Sequence, residues 1–272
     1  MPWIERCLGS LCASGHPVDI YVRDNASDDG TAAYIREHFP QVHLEAGTDN
    51  LGFAGANNLG FRYALAGGYD AVYLMNQDAW VEPETLGLLS AASEAHPEFG
   101  ALSPLQLNAS GGYDAQFEKR CRPDLSQPLQ EVLFVMAAHL FLTRHCLETV
   151  GLFAPVFPFY GEDENYCQRV GYHGLRIGIV TAARAVHDRA ERVDGKEKII
   201  YRNYKMASLQ MLCDIRHPLF RQQVKVLGYT CVKALRYRSS LPWKHFVELR
   251  KMFPEVRRTR AASLQPGAFW EE

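Results

Sequence analysis

The chain begins with apolar positions at helical spacing (Trp3, Ile4, Cys7, Leu8, Leu11, Cys12), and Gly15 and Pro17 stop the run. Residues 18–22 then read as a strand ending at Arg23-Asp24. Turn residues 25–30 lead to a helix over 31–38, with Asp28 or Asp29 as its cap. Residues 42–45 form a short strand, 47–52 a loop and 53–66 a helix. The apolar strand 70–75 runs directly into Asn76-Gln77-Asp78, and Pro83 opens another helix to about His96. Strands alternating with single helices predict a parallel sheet covered on both faces. In such sheets ligands lie beyond the carboxyl ends of strands, where Asp24 and Asp78 fall.

After Gly100 the pattern loosens. Strands are predicted over 101–107, 132–135 and 139–143, with a helix near 146–150. A Pro- and Phe-rich loop, 151–160, ends in Gly161-Glu162-Asp163-Glu164-Asn165, and a helix continues through Gly171. Late strands cover 176–180 and 184–187, and from Ile199 onward the pattern is helical with basic surfaces. The expected fold is therefore α/β, a mostly parallel doubly wound sheet over residues 1–198 with a basic helical extension over 199–272.

Composition narrows the class. With 47% apolar and 22% charged residues over 272 positions, the chain lies outside the disordered, collagen-like and coiled-coil ranges. The apolar run from Val132 is too short to cross a bilayer, and no basic segment followed by an apolar one opens the chain. Seven scattered cysteines without a CxxC pair read as reduced thiols, so a cytoplasmic setting is expected. The net charge of −2 hides an asymmetry. Residues 216–260 carry twelve Lys or Arg against only Glu248 and Glu255, so the acidic body and the basic tail should face different partners.

Several carboxylates stand where chemistry could use them. Asp24 has an ordinary alternative as a turn or helix cap. Asp78 is harder to explain that way, because no helix begins until Pro83. Oxygen ligands on a rigid strand end suit Mg²⁺ or Mn²⁺, which bind one or two protein carboxylates plus substrate phosphates. Glu162, Asp163 and Glu164 could simply complement a helix dipole. Their apolar approach, Phe157-Pro158-Phe159-Tyr160, argues for a carboxyl of raised proton affinity, as a general base needs. His187 after a short apolar strand reads as structural or as a site residue. The Gly-rich stretch 47–58 precedes a helix whose start would attract phosphate, but its spacing fits neither GxGxxG nor a Walker loop.

Together these segments resemble the family-2 inverting glycosyltransferases, and among them the rhamnosyltransferase-like enzymes of cell-surface polysaccharide synthesis. Residues 22–31 (VRDNASDDGT) are similar to their "VVDNASxDGT", and 50–60 (NLGFAGANNLG) to their "NxGFAxGNNxG". Leu74-Met75-Asn76-Gln77-Asp78 stands where they carry "LLNPD", a variant of the metal-binding DxD. Residues 160–169 (YGEDENYCQR) resemble "YGEDxDLCxR", and Ala185-Val186-His187-Asp188 their late histidine. The resemblance implies a GT-A fold of the nucleotide-diphospho-sugar transferase type, inverting transfer from dTDP-rhamnose or a UDP-sugar to a glycan or lipid-linked acceptor, and Mg²⁺ or Mn²⁺. By the same resemblance, Asp24 and Asn25 would hold the nucleobase side, while Asn50, Gly52, Phe53 and Asn57 line the nucleotide. Asn76 and Glu162 would meet the nucleotide sugar, Asp78 and His187 the metal and diphosphate, and Asp163 would be the base.

Two departures stand out. Asn76 replaces the first acid of the DxD, which leaves metal binding to Asp78 and the phosphates. Family members also open with an apolar strand in mid-sheet, whereas this chain starts at Pro2-Trp3, inside what should be the first helix. The expectation is that the natural start lies upstream, or that something else fills the gap. A protein of this type that binds a sugar nucleotide without catalysis is the competing reading. For the basic tail the alternatives are a solvated helical cover and a peripheral contact with the inner face of an anionic membrane, since Leu241, Trp243, Phe246 and Phe253 are interleaved with its cations. No nucleic-acid reading motif accompanies the charge.

Overall fold

The computed structural model describes residues 3–157, 159–189 and 195–270. Helix α1 (Ile4–Cys12) precedes β1 (Tyr21–Asp24), α2 (Thr31–His38), β2 (His43–Ala46), α3 (Gly52–Ala66) and β3 (Ala71–Met75). Then come β4 (Ala79–Val81), α4 (Thr85–Ala95), β5 (Phe99–Leu107), α5 (Ala115–Cys121), β6 (Leu129–Val132) and β7 (His139–Thr143). Helices α6 (Arg144–Val150) and α7 (Glu162–Tyr172) lead to the long strand β8 (Arg176–His187). The chain ends in α8 (Lys196–Ile200), a π-helical stretch Tyr201–Met206, α9 (Ala207–Cys213), α10 (Leu219–Tyr237), α11 (Leu241–Lys251) and α12 (Phe253–Ser263).

The α/β class expected from the alternation is the one observed, but the main sheet is mixed rather than mostly parallel. Its order is β3-β7-β5-β8-β4, with β6 also on β8. Only β5–β8 is parallel within it; β3–β7, β5–β7, β4–β8 and β6–β8 run antiparallel. The regular strand–helix alternation that predicts parallel pairing ends at α4. Beyond it strands succeed one another through loops and short helices, so reversal of direction is available. Strand β1 pairs in parallel with β2 as a separate two-stranded sheet, and among the described residues no strand lies between β1 and β3. Helix α3 packs on both β1 and β3.

An irregularity in β5 and β8 sets the position of His187. Pro104 cannot donate to a ladder, and the β5–β8 register shifts just beyond it, from Pro104↔Val180 to Leu105↔Arg184. Before the shift β8 pairs with β6, and after it with β4, so one twelve-residue strand occupies the two segments predicted over 176–180 and 184–187. The final pair, Ala79↔His187, fixes the histidine beside Asp78.

Alternation along the strands feeds two cores. Leu102 and Phe141 point to a small cluster with Leu86 and Leu89 of α4. Ala101, Leu105, Leu140 and Leu142 point to the opposite face, where Phe61, Phe153 and Tyr166 meet Leu209, Leu212, Val226 and Val256 of the C-terminal helices. Arg169 of α7 is fully buried there, with Nη1 donating to Leu152 O at 2.7 Å and Nη2 to Val150 O. These carbonyls lie at the C-terminal end of α6, where the helix dipole favours a cation. Burial lowers the guanidinium pKa only to about 10, so it stays charged at neutral pH. Gly151 has φ +84, and a Cβ there would strike the Ala268 backbone at 2.0 Å, so the C-terminal turn closes against a position only glycine fits.

Candidate active site

Three groups of polar side chains emerge from the sequence candidates. The first sits at the end of β1. Asp24 is buried and its Oδ2 accepts from the Ser27 amide at 3.1 Å. Asn25 Nδ2 donates to Gly52 O at 3.1 Å, while Asn50 Oδ1 accepts from the Gly52 amide at 3.0 Å. The 50–52 turn is thereby fastened to β1 where α3 begins. Within α3, Asn57 Nδ2 donates to Phe53 O at 2.9 Å, and Phe53 stacks obliquely on Phe153. Asp29, one of the two proposed caps, accepts from the Thr31 amide at 3.1 Å.

The second group lies where β3 and β8 end. Asp78 Oδ1 is 3.4 Å from His187 Nε2, and both residues are buried. On the other side of the ring, Asp114 Oδ2 is 3.9 Å from His187 Nδ1, which has no hydrogen bond among the described residues. Asp114 caps α5, its Oδ1 accepting from the Gln116 and Phe117 amides at 2.9 Å each, and Arg189 Nε donates to its Oδ2. A buried carboxylate thus meets an imidazole and a guanidinium while its other oxygen is held by a helix start. Behind His187, His139 packs edge-on with ring centroids 6.4 Å apart. Its Nε2–H donates to Val186 O at 3.0 Å and its Nδ1 accepts from the Tyr73 hydroxyl at 2.7 Å. Burial pushes the His139 pKa to about 3, so this ring is a neutral prop. Asn76 takes part through its backbone: its amide donates to Ala138 O at 3.1 Å and its carbonyl accepts from Cys7 Sγ.

The third group opens α7. Tyr160 (φ 66) and Gly161 (φ 102) are consecutive left-handed residues immediately before Glu162. A Cβ at 161 would sit 3.0 Å from Gln210 Nε2 and 3.1 Å from Phe157. Glu162 is buried with Oε2 unpaired among the described residues; burial first, and Asp163 second, push its pKa up to about 8. Asp163 is also raised, by burial, while the Arg120 guanidinium and the amides of Glu164 and Ala137 pull the other way. Arg120 pairs with Glu164 and lies over the Phe134 ring at 3.6 Å.

Helix α5 connects the second and third groups, with Asp114 at its start against His187 and Arg120 near its end against Glu164. Asp24 belongs to neither set of contacts; it is tied to its own turn, while Asn25 holds the 50–52 turn.

Against known proteins, residues 2–105 match the model of glycosyl transferase family 2. The N-acetylglucosaminyl-diphospho-decaprenol L-rhamnosyltransferase of Mycobacterium tuberculosis is 27% identical over 223 residues, covering 70% of this chain and 73% of the relative. The undecaprenyl-phosphate mannosyltransferase of Micrococcus luteus is 36% identical over 88 residues, covering 31% of this chain and 36% of that protein. The chain is similar to glycosyl transferase family 2 over residues 2–105 and, at lower identity, to the mycobacterial relative over most of its length. Among solved structures, residues 1–349 of Staphylococcus aureus TarS with UDP-GlcNAc superpose with a TM-score of 0.56 at 15% identity, over 82% of this chain and 66% of that one. GalNAc-T7 with UDP, GalNAc and Mn²⁺ gives 0.57 at 13% identity, over 76% and 45%. Both likenesses establish the GT-A fold, and this chain spans less than two thirds of either structure.

Among the described residues no three His, Cys, Asp or Glu side chains are grouped to hold an ion. Asp78 and His187 offer a carboxylate and an imidazole, and the buried His187 Nδ1 has no hydrogen-bond partner among the described residues. That donor set fits a divalent ion whose remaining ligands are diphosphate oxygens and water. Sequence reasoning missed Asp114, Arg120 and Arg189. Gly111-Gly112-Tyr113-Asp114 carries the turn-then-cap signature of a helix start, which was the available signal, but the 108–130 stretch reads only as loop.

Proposed function

We propose that this protein transfers a sugar, with inversion, from a nucleoside diphosphate sugar (dTDP-rhamnose or a UDP-sugar) to a hydroxyl of a glycan or lipid-linked acceptor. The observation that carries the reading is Asp163, a carboxyl whose proton affinity burial has raised, linked through α5 to the Asp78–His187 pair. The donor class is supported by UDP-GlcNAc in TarS, and the lipid-linked acceptor by the names of the mycobacterial and micrococcal relatives.

Asp24, Asn25 and the turn at Asn50 and Gly52, with Phe53 and Asn57 behind it, would receive the nucleoside, and Asn76 and Glu162 the sugar-diphosphate side. Asp163 would take the acceptor proton as the acceptor oxygen bonds to the anomeric carbon and the diphosphate leaves from the opposite face. Arg189, already at Asp114, and His187 would face the negative charge that develops on the leaving group. Mg²⁺ or Mn²⁺ held by Asp78 and His187 would, when bound, neutralise part of that charge.

The test compares the chain with Asp163→Asn in transfer and hydrolysis of dTDP-rhamnose and UDP-sugars with Mn²⁺ present. Loss of a base should lower turnover by about 10²–10⁴-fold while nucleotide binding persists. Equal rates in both proteins would leave the non-catalytic binding protein as the better reading.

A further inference from the structure

The C-terminal helices carry a surface that the transfer reaction does not use. Phe220, Val224, Leu227, Cys231 and Leu235 repeat along α10 at three- and four-residue intervals and form one stripe. It is open to solvent: Phe220 is 73% exposed and Leu235 79%. The residues of α10 that face the core are others, Gln222, Val226 and Thr230. Along the stripe run two grooves shared with α11. One, of about 260 Å³, is lined by Val224, Leu227, Phe246 and Phe253 with Arg250 among them. The other, of about 530 Å³, is lined by Leu235 and Trp243 with Arg238 among them.

Cations border this apolar strip on both helices. Arg221, Lys225 and Arg236 are exposed on α10, and Lys244, Arg250 and Lys251 on α11. The one acid of α11, Glu248, is engaged by Lys205 at 2.8 Å and by His245 at 3.2 Å, so it does not offset the flanking charge. No described helix is long and apolar enough to cross a membrane.

We infer that the α10–α11 face docks flat on an anionic phospholipid surface, with the Phe220–Leu235 stripe and Trp243 among the headgroups and the flanking Lys and Arg on lipid phosphates. An apolar strip bounded by cations is the arrangement that lies in an interface instead of spanning it. A second copy of the chain fits less well, because pairing this face with itself would bring its cationic borders together. Helix α10 rests on α9 and α9 on α7, so the docked face lies one helix layer behind the start of α7. Docking of this face does not depend on the transfer chemistry.

Flotation with phosphatidylcholine vesicles, with and without phosphatidylglycerol, tests it on the full chain. Binding is expected to vesicles containing phosphatidylglycerol and to weaken as salt is raised. The double variant Phe220→Asp/Leu235→Asp should lower the partition coefficient by about tenfold or more. Lys225→Gln/Lys244→Gln/Lys251→Gln should lower it by about a hundredfold on the anionic vesicles. Every substituted position is exposed, so thermal unfolding unchanged from wild type would verify that folding is intact. Failure of the wild-type chain to float with anionic vesicles would overturn the inference, as would variants that bind as well as wild type. A lipid-free dimer that Leu235→Asp abolishes, in a chain that ignores vesicles, would assign the face to a second copy instead.

Discussion

The two acidic clusters joined by α5 differ in how their charge is met. Around His187, each carboxylate faces a positive or ionisable partner: Asp78 the Nε2 edge, and Asp114 both the Nδ1 edge and Arg189. At the start of α7, burial raises the proton affinity of the adjacent Glu162 and Asp163, while Arg120 pairs with Glu164 and pulls the Asp163 value back down. The same residue types therefore stand in different electrostatic environments. Charges of both signs held in place suit binding of a diphosphate, whereas crowded, desolvated carboxyls suit holding and accepting a proton.

If that contrast is right, Asp78→Asn or His187→Ala should raise the donor KM and weaken response to Mn²⁺, with kcat/KM falling by about a hundredfold. A loss confined to kcat with normal donor binding would place these residues in the proton-transfer cluster instead. Asp114→Asn should be milder, about tenfold in donor KM. Because asparagine also caps helices, its thermal midpoint should stay near wild type, while Asp114→Ala should additionally lose about 1 kcal/mol of stability. Steady-state kinetics alongside thermal unfolding separates positioning of His187 from simple support of α5.

On the other cluster, Arg120→Gln removes the cation that holds the Asp163 pKa down, so the acid limb of the pH–rate profile should move to higher pH. An unmoved limb would mean Asp163 is not the titrating base. The smallest effect concerns Glu162. Its pKa rises from 4.5 to about 8 on folding, so the native state holds its proton more tightly than the unfolded chain. Stability from this group is full below about pH 4.5 and is lost as pH rises toward 8. Glu162→Gln should therefore flatten the decline of the unfolding midpoint between about pH 6 and pH 8, within the window set by that shift. An unchanged slope would show that Glu162 is solvated after all.

The early elements were legible because local patterning decides them. Helices α1, α2 and α3 and strands β2 and β3 lie within a residue or two of where apolar spacing and turn residues put them. Strand β4 was not, since three residues, Ala79–Val81, carry no period and exist only because β8 offers them a partner. Helix α5 hid in a stretch that reads as loop, and with it went Asp114 and Arg120.

What the sequence determined by itself is the α/β class, the resemblance to the family-2 glycosyltransferases, and the candidates Asp24, Asp78, Asp163 and His187, because strand ends, caps and motifs are short-range facts. Tertiary structure alone decided the mixed direction of the main sheet, which comes from pairings between segments far apart in the chain. It also decided what surrounds each candidate. Pro104 shifts the β8 register so that His187 lands opposite Ala79, and α5 folds back to put Asp114 on the imidazole. Burial and neighbouring charge depend on residues distant in sequence, and those set the proton affinity of each carboxylate.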